Sequence, residues 1–256
     1  MEKNTLKLCY CFADSLNLHG DLGNIMAFEK VTKMLGAEFD FSRINSFYDD
    51  FTIDEYDILF FSPGELRTAI NMASVLKEKR DMFVDYLDKG KTIIVIGTTI
   101  ALFSKNILRS DGKVYPGLDI VDVSIRERNI TYSNDEVFTM NLYGNELKIY
   151  GGQIQMADVL IHDEQSLGKV TYGYGNCHKE DEGLVKNGFI FTNALGPVFV
   201  KNPAFAASII IKILKDKGSD LELTMPEFAF EDASNKRIQD FIDLKIEKYD
   251  ASRLEK

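Results

Sequence analysis

Residue types that commonly carry covalent chemistry are sparse in this sequence. It contains three cysteines and three histidines, at Cys9, Cys11, Cys177, His19, His162 and His178. Only Cys177 and His178 are neighbours, and adjacent side chains in a loop rarely face each other for proton transfer. We interpret Cys177 as a solvated loop thiol, with a catalytic thiol as the alternative. The histidines share no ligand spacing, so the sequence predicts no metal site, and no motif indicates a cofactor.

Composition and charge exclude several further classes. The chain of 256 residues has 30 basic and 40 acidic side chains, a net charge of -10, without a basic cluster. Nucleic acids and anionic membrane surfaces require concentrated positive charge, so neither partner is expected. No stretch reaches the ~18 apolar residues of a membrane helix. Three cysteines without a CxxC pair indicate no disulfide framework, and the sequence predicts a protein of the cytoplasm.

The first half of the chain predicts repeated strand-to-helix units. Apolar runs at 6–12, 57–61 and 92–96 read as strands, and stretch 38–44 alternates as a further strand would. Helical periodicity follows at 25–35 and 66–87, and a third helix is expected after Gly97 through residue 108. Such units predict right-handed crossovers and a mostly parallel sheet covered by helices on both faces.

The second half predicts antiparallel additions to this sheet, followed by helices. Short strands are expected at 118–125, 136–142, 147–150, 167–172 and 188–192, and Asn202-Pro203 opens a helix through residue 215. We predict one domain over 1–218 and a charged helical extension over 219–256. An apolar stripe in that extension, at Ile238, Phe241, Ile242 and Ile246, predicts a helix folded back on the domain. A docking arm for a partner is the alternative.

In a parallel sheet, ligands bind at the carboxyl ends of the strands, so the loops after Phe12, Phe61 and Ile96 should meet in one crevice. The third loop has the layout of a nucleophile elbow, in which a buried strand turns sharply into a helix. Its elbow position is Gly97. Thr98 and Thr99 follow, but no His, Lys or Glu lies within the turn to activate them, so helix-capping hydroxyls are the simpler interpretation.

Several motifs, in this order, resemble class I glutamine amidotransferases of the cobyric-acid-synthase-like branch, in particular the glutaminase subunits of lipid II isoglutaminyl synthases. They are Asn17-Leu-His-Gly-Asp21-Leu-Gly-Asn24, Asp57-Ile-Leu-Phe-Phe-Ser-Pro-Gly64, Ile94-Val-Ile-Gly97, Tyr172-Gly-Tyr-Gly-Asn176 and Leu195-Gly-Pro197. The resemblance spans residues 6 to 217. It implies an α/β three-layer sandwich with a flavodoxin-like core, and a Mur-ligase-like partner subunit.

For activity, the resemblance implies a cysteine that attacks the side-chain amide of glutamine, a histidine base and an oxyanion site of backbone N–H groups. Alignment through the third strand places the nucleophile at Gly97, and alignment through Gly196-Pro197 places the base at Leu195. Glycine has no side chain with which to attack, and leucine cannot accept a proton. Both halves of the catalytic dyad are therefore absent from the expected positions.

The remaining site positions also depart from the family. Gly64 and Thr98 are the oxyanion-loop equivalents. Pro63 stands where the family has one of a run of glycines, and it lacks a backbone N–H. Candidate ligand-binding residues are Asp21, Asn24, Arg128, Gly151 and Gly152. Arg126 competes with Arg128 for the position of the arginine that binds glutamine.

A glycine at the elbow has a physical explanation. The elbow residue adopts a sparsely allowed backbone conformation, which costs ~1–3 kcal/mol when a Cβ is present. Glycine relieves this strain, so a left-handed backbone is expected at Gly97.

Together these features predict a degenerate amidotransferase-like subunit without glutaminase activity, which binds a Mur-ligase-like protein in peptidoglycan precursor (lipid II) amidation. One alternative is an active amidotransferase, or another small-ligand enzyme, with a non-standard nucleophile. Another is a sensor of glutamine or of a peptidoglycan stem peptide.

Overall fold

The computed structural model describes residues 2–45 and 52–254, with side chains up to residue 247. The strands are β1 (Thr5–Cys11), β2 (Glu38–Ile44), β3 (Ile58–Phe61), β4 (Thr92–Ile96), β5 (Asn106–Leu108), β6 (Val114–Pro116), β7 (Val123–Leu142), β8 (Asn145–Ile161), β9 (Gly168–Tyr172), β10 (Asp181–Glu182), β11 (Leu184–Lys186) and β12 (Phe189–Thr192). The helices are α1 (Leu22–Met34), α2 (Leu66–Leu76), α3 (Arg80–Asp88), α4 (Ile100–Phe103), α5 (Val198–Lys201), α6 (Pro203–Asp216) and α7 (Ala229–Leu254).

A mostly parallel sheet forms the centre of the molecule, in the order β11-β12-β4-β3-β1-β2. Its strands pair in parallel except β11, which is antiparallel to β12. Alternate residues of β1 belong to two separate hydrophobic clusters, Leu8 and Tyr10 with α1 and α6, and Cys9 and Cys11 with α2, α3 and α4. Helices thus cover both faces, and the predicted α/β class is confirmed.

Antiparallel strands occur in the second half as expected, but β11 is the one that extends the central sheet. The others form a second sheet, in the order β10-β9-β7-β5-β6, with β8 paired to β7. Its main feature is the hairpin of β7 and β8, which turns at Tyr143 and Gly144, both with positive φ. Period-2 patterning predicts which face of a strand is buried but not which strand it pairs with, so the second sheet was not foreseen.

Several predicted boundaries are wrong. The strand expected at 118–125 begins only at Val123, and the one expected at 147–150 is part of the longer β8. Stretch 126–135, expected as a loop, belongs to β7, because cross-strand pairs with β8 extend along it. The helix expected through residue 108 ends at Phe103, and β5 follows it. The single helix predicted over 66–87 is divided into α2 and α3 by a 3₁₀ turn at Lys77–Lys79.

The C-terminal helix α7 folds back on the second sheet. Ile238 and Ile242 pack with Val137, Tyr150 and Tyr172. Two residues of the predicted stripe do not join this contact, since Phe241 and Ile246 are exposed. The division into a domain and an extension stays a prediction. No helix in the described ranges is both long and apolar enough to cross a membrane.

Candidate functional site

The carboxyl ends of β1, β3, β4 and β12 bring four loops together. The chain leaves β1 towards β2 at one side of the sheet, whereas it leaves β3 towards β4 at the other. Such a reversal between adjacent strands creates the crevice in which open α/β sheets bind ligands. Asp21, Ser62, Gly97 and Leu195 lie in the loops that follow these four strands.

Gly97 and Leu195 are direct neighbours at the floor of this site. A Cβ built on Gly97 would lie 3.4 Å from Leu195 Cδ2 and 3.5 Å from Pro63 Cβ. Leu195 is almost wholly buried. The two positions that the resemblance assigns to nucleophile and base therefore adjoin each other, and apolar side chains fill the space between the loops.

The backbone at Gly97 has the expected left-handed conformation, with φ at 60°. Gly97 directly follows the buried strand β4 and begins a 3₁₀ turn that leads into α4. This strand-turn-helix connection is the geometry of an elbow. A side chain at Gly97 would be strained even though ordinary contact distances surround its Cβ.

We predict that Gly97→Ala lowers the free energy of unfolding by ~1–3 kcal/mol, because alanine resists a positive φ. Gly152→Ala is the matched control, since Gly152 has no positive φ and a Cβ there would meet nothing within 4 Å. Urea denaturation measures both effects. Equal stabilities for the two variants would contradict a strained elbow.

A short backbone bridge holds the loop that carries Leu195. The N–H of Gly152 donates to Leu195 O at 3.1 Å, and the N–H of Leu195 donates to Gly152 O at 2.7 Å. A Cβ on Gly151 would lie 2.7 Å from Ala194 Cβ, closer than real Cβ atoms approach. Close packing against this loop thus accounts for glycine at position 151, and ligand binding by Gly151 and Gly152 stays a prediction.

The loop after β3 meets the elbow through a hydroxyl. Thr99 Oγ1 donates to the carbonyl of Ser62 at 2.7 Å, so this buried threonine connects two loops and does not cap α4. A Cβ on Gly64 would lie 3.6 Å from Thr99 Oγ1. Gly64 therefore borders the elbow turn that contains Thr98. The intervening Pro63 supplies a ring and no N–H donor.

Asp21 and Asn24 are wholly buried beside this site. Asn24 Oδ1 accepts the N–H of Phe199 at 2.9 Å, which joins the start of α1 to α5. Burial raises the pKa of the Asp21 carboxyl to about 7, although Ser62 and Asn24 lie near enough to lower it in part. Neither carboxyl oxygen of Asp21 has a hydrogen-bond partner within the described residues.

The two candidate arginines are engaged by one buried carboxylate. Arg126 Nη2 lies 2.8 Å from Asp158 Oδ2, and Arg128 Nη1 lies 3.3 Å from Asp158 Oδ1. The Arg128 guanidinium also stacks 4.7 Å from the centre of the Tyr174 ring. In the hairpin register Arg126 pairs with Asp158, whereas Gly151 pairs with Glu136. The structure therefore places both arginines at Asp158 and Arg128 on Tyr174, whose backbone N–H donates to Gln153 beside the paired glycines.

Cys177 is partly buried, and burial raises the pKa of its thiol. A raised pKa reduces the thiolate fraction at neutral pH, whereas a nucleophilic cysteine requires the thiolate. The adjacent His178 is exposed and has a positive φ. Among the described residues, no three His, Cys, Asp or Glu side chains converge as a metal ion would require.

A buried carboxyl pair behind the Leu195 loop was not found from the sequence. Glu136 and Glu182 are wholly buried. Glu182 accepts hydrogen bonds from Thr192 Oγ1 at 2.6 Å and from the backbone N–H of Asn193 at 2.7 Å. Glu136 accepts one from the N–H of Gly175 at 2.9 Å. In the sequence, Glu182 belongs to a charged stretch that resembles a solvated loop. Only the structure shows that it is buried in a strand, β10.

Burial and the neighbouring Glu182 charge raise the pKa of Glu136 well above its usual range. A carboxyl with a raised pKa stabilises the fold fully below its ordinary pKa and loses that contribution as the pH rises. We predict that Glu136→Gln gains stability relative to the parent chain as the pH rises above the ordinary glutamate pKa of ~4.3, since an amide does not ionise. Thermal denaturation as a function of pH measures the gain. Glu146→Gln, at an exposed position of the same sheet, should track the parent, and a parallel response of both variants would contradict the prediction.

The fold and the site define an α/β protein with an elbow at the carboxyl edge of its central sheet. No protein-family model matches the sequence. Two curated relatives are both named lipid II isoglutaminyl synthase (glutamine-hydrolyzing) subunit GatD. The one from Streptococcus pneumoniae is 27% identical over 249 residues, which cover 94% of this chain and 92% of the relative. The one from Staphylococcus aureus is 26% identical over 220 residues, covering 85% and 88%.

Solved structures that are similar to this chain include a glutamine amidotransferase. It has 11% identity and a TM-score of 0.48, and the match covers 84% of this chain and 99% of that one. The glutaminase domain of Trypanosoma brucei CTPS with bound acivicin has 8% identity and a TM-score of 0.46, covering 86% and 97%. In sequence, the chain is similar over most of its length to these two GatD subunits.

Proposed function

We propose that this chain is a GatD-like subunit that does not hydrolyse glutamine, and that it binds a Mur-ligase-like protein in lipid II amidation in the cytoplasm. Similarity to two GatD subunits along most of their length supports the pathway. The observation that supports the loss of activity is the proximity of Gly97 and Leu195, since a Cβ built on the glycine would lie 3.4 Å from Leu195 Cδ2. The positions that the resemblance assigns to nucleophile and base therefore adjoin each other and carry neither a thiol nor an imidazole.

The surroundings of the elbow support the same proposal. Pro63 removes one backbone donor from the oxyanion loop, and it packs on the elbow glycine. Cys177 has a thiol whose pKa is raised, which disfavours a substitute nucleophile. The elbow, the backbone bridge and the glycine packing form a close-packed frame around these positions. An ordered subunit without this chemistry fits a role in binding.

Co-purification with the Mur-ligase-like protein of the same organism tests the partner. We expect a stable complex when the two chains are expressed together, with only one of them carrying an affinity tag. The complex should persist in Gly97→Ala if that variant is folded, because the proposed binding does not involve the elbow. Recovery of the tagged chain alone under conditions in which both proteins are soluble would contradict the proposed partner.

A further inference from the structure

The hairpin of β7 and β8 has an apolar stretch on its outer face, beyond the contact with α7. Along β8, Gln153, Gln155 and Ala157 are buried, whereas the intervening Ile154 and Met156 are 50% and 42% exposed. Residues two apart on a strand lie on the same face, so these two side chains share the outer face. An exposed sheet face is normally polar, so adjacent apolar positions here indicate an interaction surface.

The helix α7 covers the same face further along the hairpin. Tyr150 lies an even number of residues from the two exposed positions, and it packs with Ile242 of α7. An ion pair of 3.2 Å between Lys245 and Asp135 joins the two elements next to this contact. The outer face therefore packs against apolar side chains where α7 lies on it, and it remains apolar beyond that contact.

A bulge widens the apolar stretch. Between Glu127 and Tyr132 the register with β8 shifts, so that residues 128–131 of β7 lie opposite Met156 alone. Ile130 belongs to this bulge and is 74% exposed. Bulges are frequent where a sheet re-aims side chains beside a functional site. The bulge thus adds a third exposed apolar residue next to the two on β8.

Two arginines border the apolar stretch and share one carboxylate. Arg126 and Arg128 both form ion pairs with Asp158, whose side chain is 5% exposed. Asp158 follows Met156 by two residues, so these ion pairs lie beside the apolar side chains. Among the described residues, no other acid forms an ion pair with either arginine. One carboxylate balances one guanidinium, and the Arg126 side chain, which is 47% exposed, brings the excess positive charge to the surface.

We define the hairpin patch by these apolar residues and arginines, namely Ile130, Ile154, Met156, Arg126 and Arg128. Its composition is that of an interface, because methionine and arginine are enriched in protein contacts whereas lysine and glutamate are depleted. The chain has a net charge of -10, so an excess guanidinium charge on its surface is a local exception. Such a charge attracts a carboxylate, which arginine can bind through two parallel hydrogen bonds.

A second copy of the chain does not suit the hairpin patch, since a two-fold contact would place its excess positive charge against itself. We propose that the hairpin patch binds a segment of the Mur-ligase-like partner in which a carboxylate is flanked by apolar side chains. The carboxylate pairs with Arg126, and the apolar side chains pack on Ile154 and Met156. This inference rests on the proposed function and adds the surface through which the partner is bound.

Isothermal titration calorimetry of the full chain with the Mur-ligase-like protein tests the inference. Met156→Asp should weaken binding at least ~30-fold, as at a central interface residue, because it places a charge among apolar side chains. Arg126→Gln should weaken binding ~10-fold and make it less sensitive to salt, because the carboxylate loses its guanidinium. Arg128 still balances Asp158 in that variant.

Two variants with the same substitutions elsewhere are the matched controls. Met34→Asp changes a methionine that is 46% exposed on α1, and Arg67→Gln changes an exposed arginine on α2. Both should bind as the parent does. Circular dichroism establishes that every variant is folded.

Each outcome separates the hairpin patch from the proposed partner. If the parent binds, and the two patch variants bind as tightly as the controls, the inference is overturned while the proposed partner stands. A parent chain that does not bind refutes the proposed partner, and the inference with it. If light scattering shows that the parent forms a dimer which Met156→Asp dissociates, the hairpin patch serves a second copy and the inference is refuted.

Discussion

Gly97→Cys combined with Leu195→His is expected to create glutamate release at least ~100-fold above the background of the parent chain, the typical contribution of a positioned general base. A Cβ at Gly97 lies 3.4 Å from the nearest atom of Leu195, so a thiol and an imidazole at these positions would be neighbours. The imidazole can then favour the thiolate, which is the attacking species. Coupled measurement of glutamate gives the rate.

The single variants are the controls for this experiment. Gly97→Cys alone should react slowly with a glutamine-mimicking electrophile. Leu195→His alone should not react with it at position 97, because the glycine there has no nucleophile. Adding Pro63→Gly should raise the rate further, since one oxyanion donor is worth ~100–1,000-fold. A folded double variant with no more activity than either single variant would contradict the assignment of these two positions.

Asp21→Asn is expected to stabilise the chain at pH 8 by up to about 4 kcal/mol, because burial raises the Asp21 pKa from its ordinary 3.8 to about 7. In the parent chain this group stabilises the fold fully below pH 3.8. That contribution is lost progressively as the pH rises to about 7, and nothing further is lost above it. Asparagine has nearly the same shape and no charge to bury.

Urea denaturation at pH 5 and pH 8 measures this effect. The gain from Asp21→Asn should be larger at pH 8, where the parent carboxyl must ionise within the fold. Asp14→Asn, at an exposed position of the same loop, should show no such difference. An equal gain at both pH values would show that Asp21 is not a buried acid with a raised pKa.

Much of the central sheet could be predicted from the sequence because its inner strands β3, β4 and β12 are buried on both faces. Continuous apolar runs such as β4 mark such strands, and the intervening helices show their own period. The second sheet could not be predicted in the same way. The charged stretch that contains Arg126 and Arg128 is held in β7 by a partner on β8, Asp158, and nothing local indicates that pairing.

The candidate site divides along the same line. The strand-turn-helix pattern and the resemblance predict the roles of Gly97 and Leu195, and the structure places Leu195 Cδ2 3.4 Å from a Cβ built on Gly97. The roles themselves stay predictions. The sequence did not predict the buried pair of Glu136 and Glu182, because two acids far apart in the chain are brought together by the strand order β10-β9-β7 of the second sheet. Charged residues are normally solvated, so the ordinary expectation failed there.

We expect the elbow of this chain to carry no chemistry towards glutamine. Glutamate release by the purified parent chain, alone and together with the Mur-ligase-like protein, is the decisive measurement. In both cases we expect a rate no higher than that of a reaction without protein. Glutamate release that depends on the chain, and that a glutamine-mimicking electrophile abolishes, would contradict this expectation.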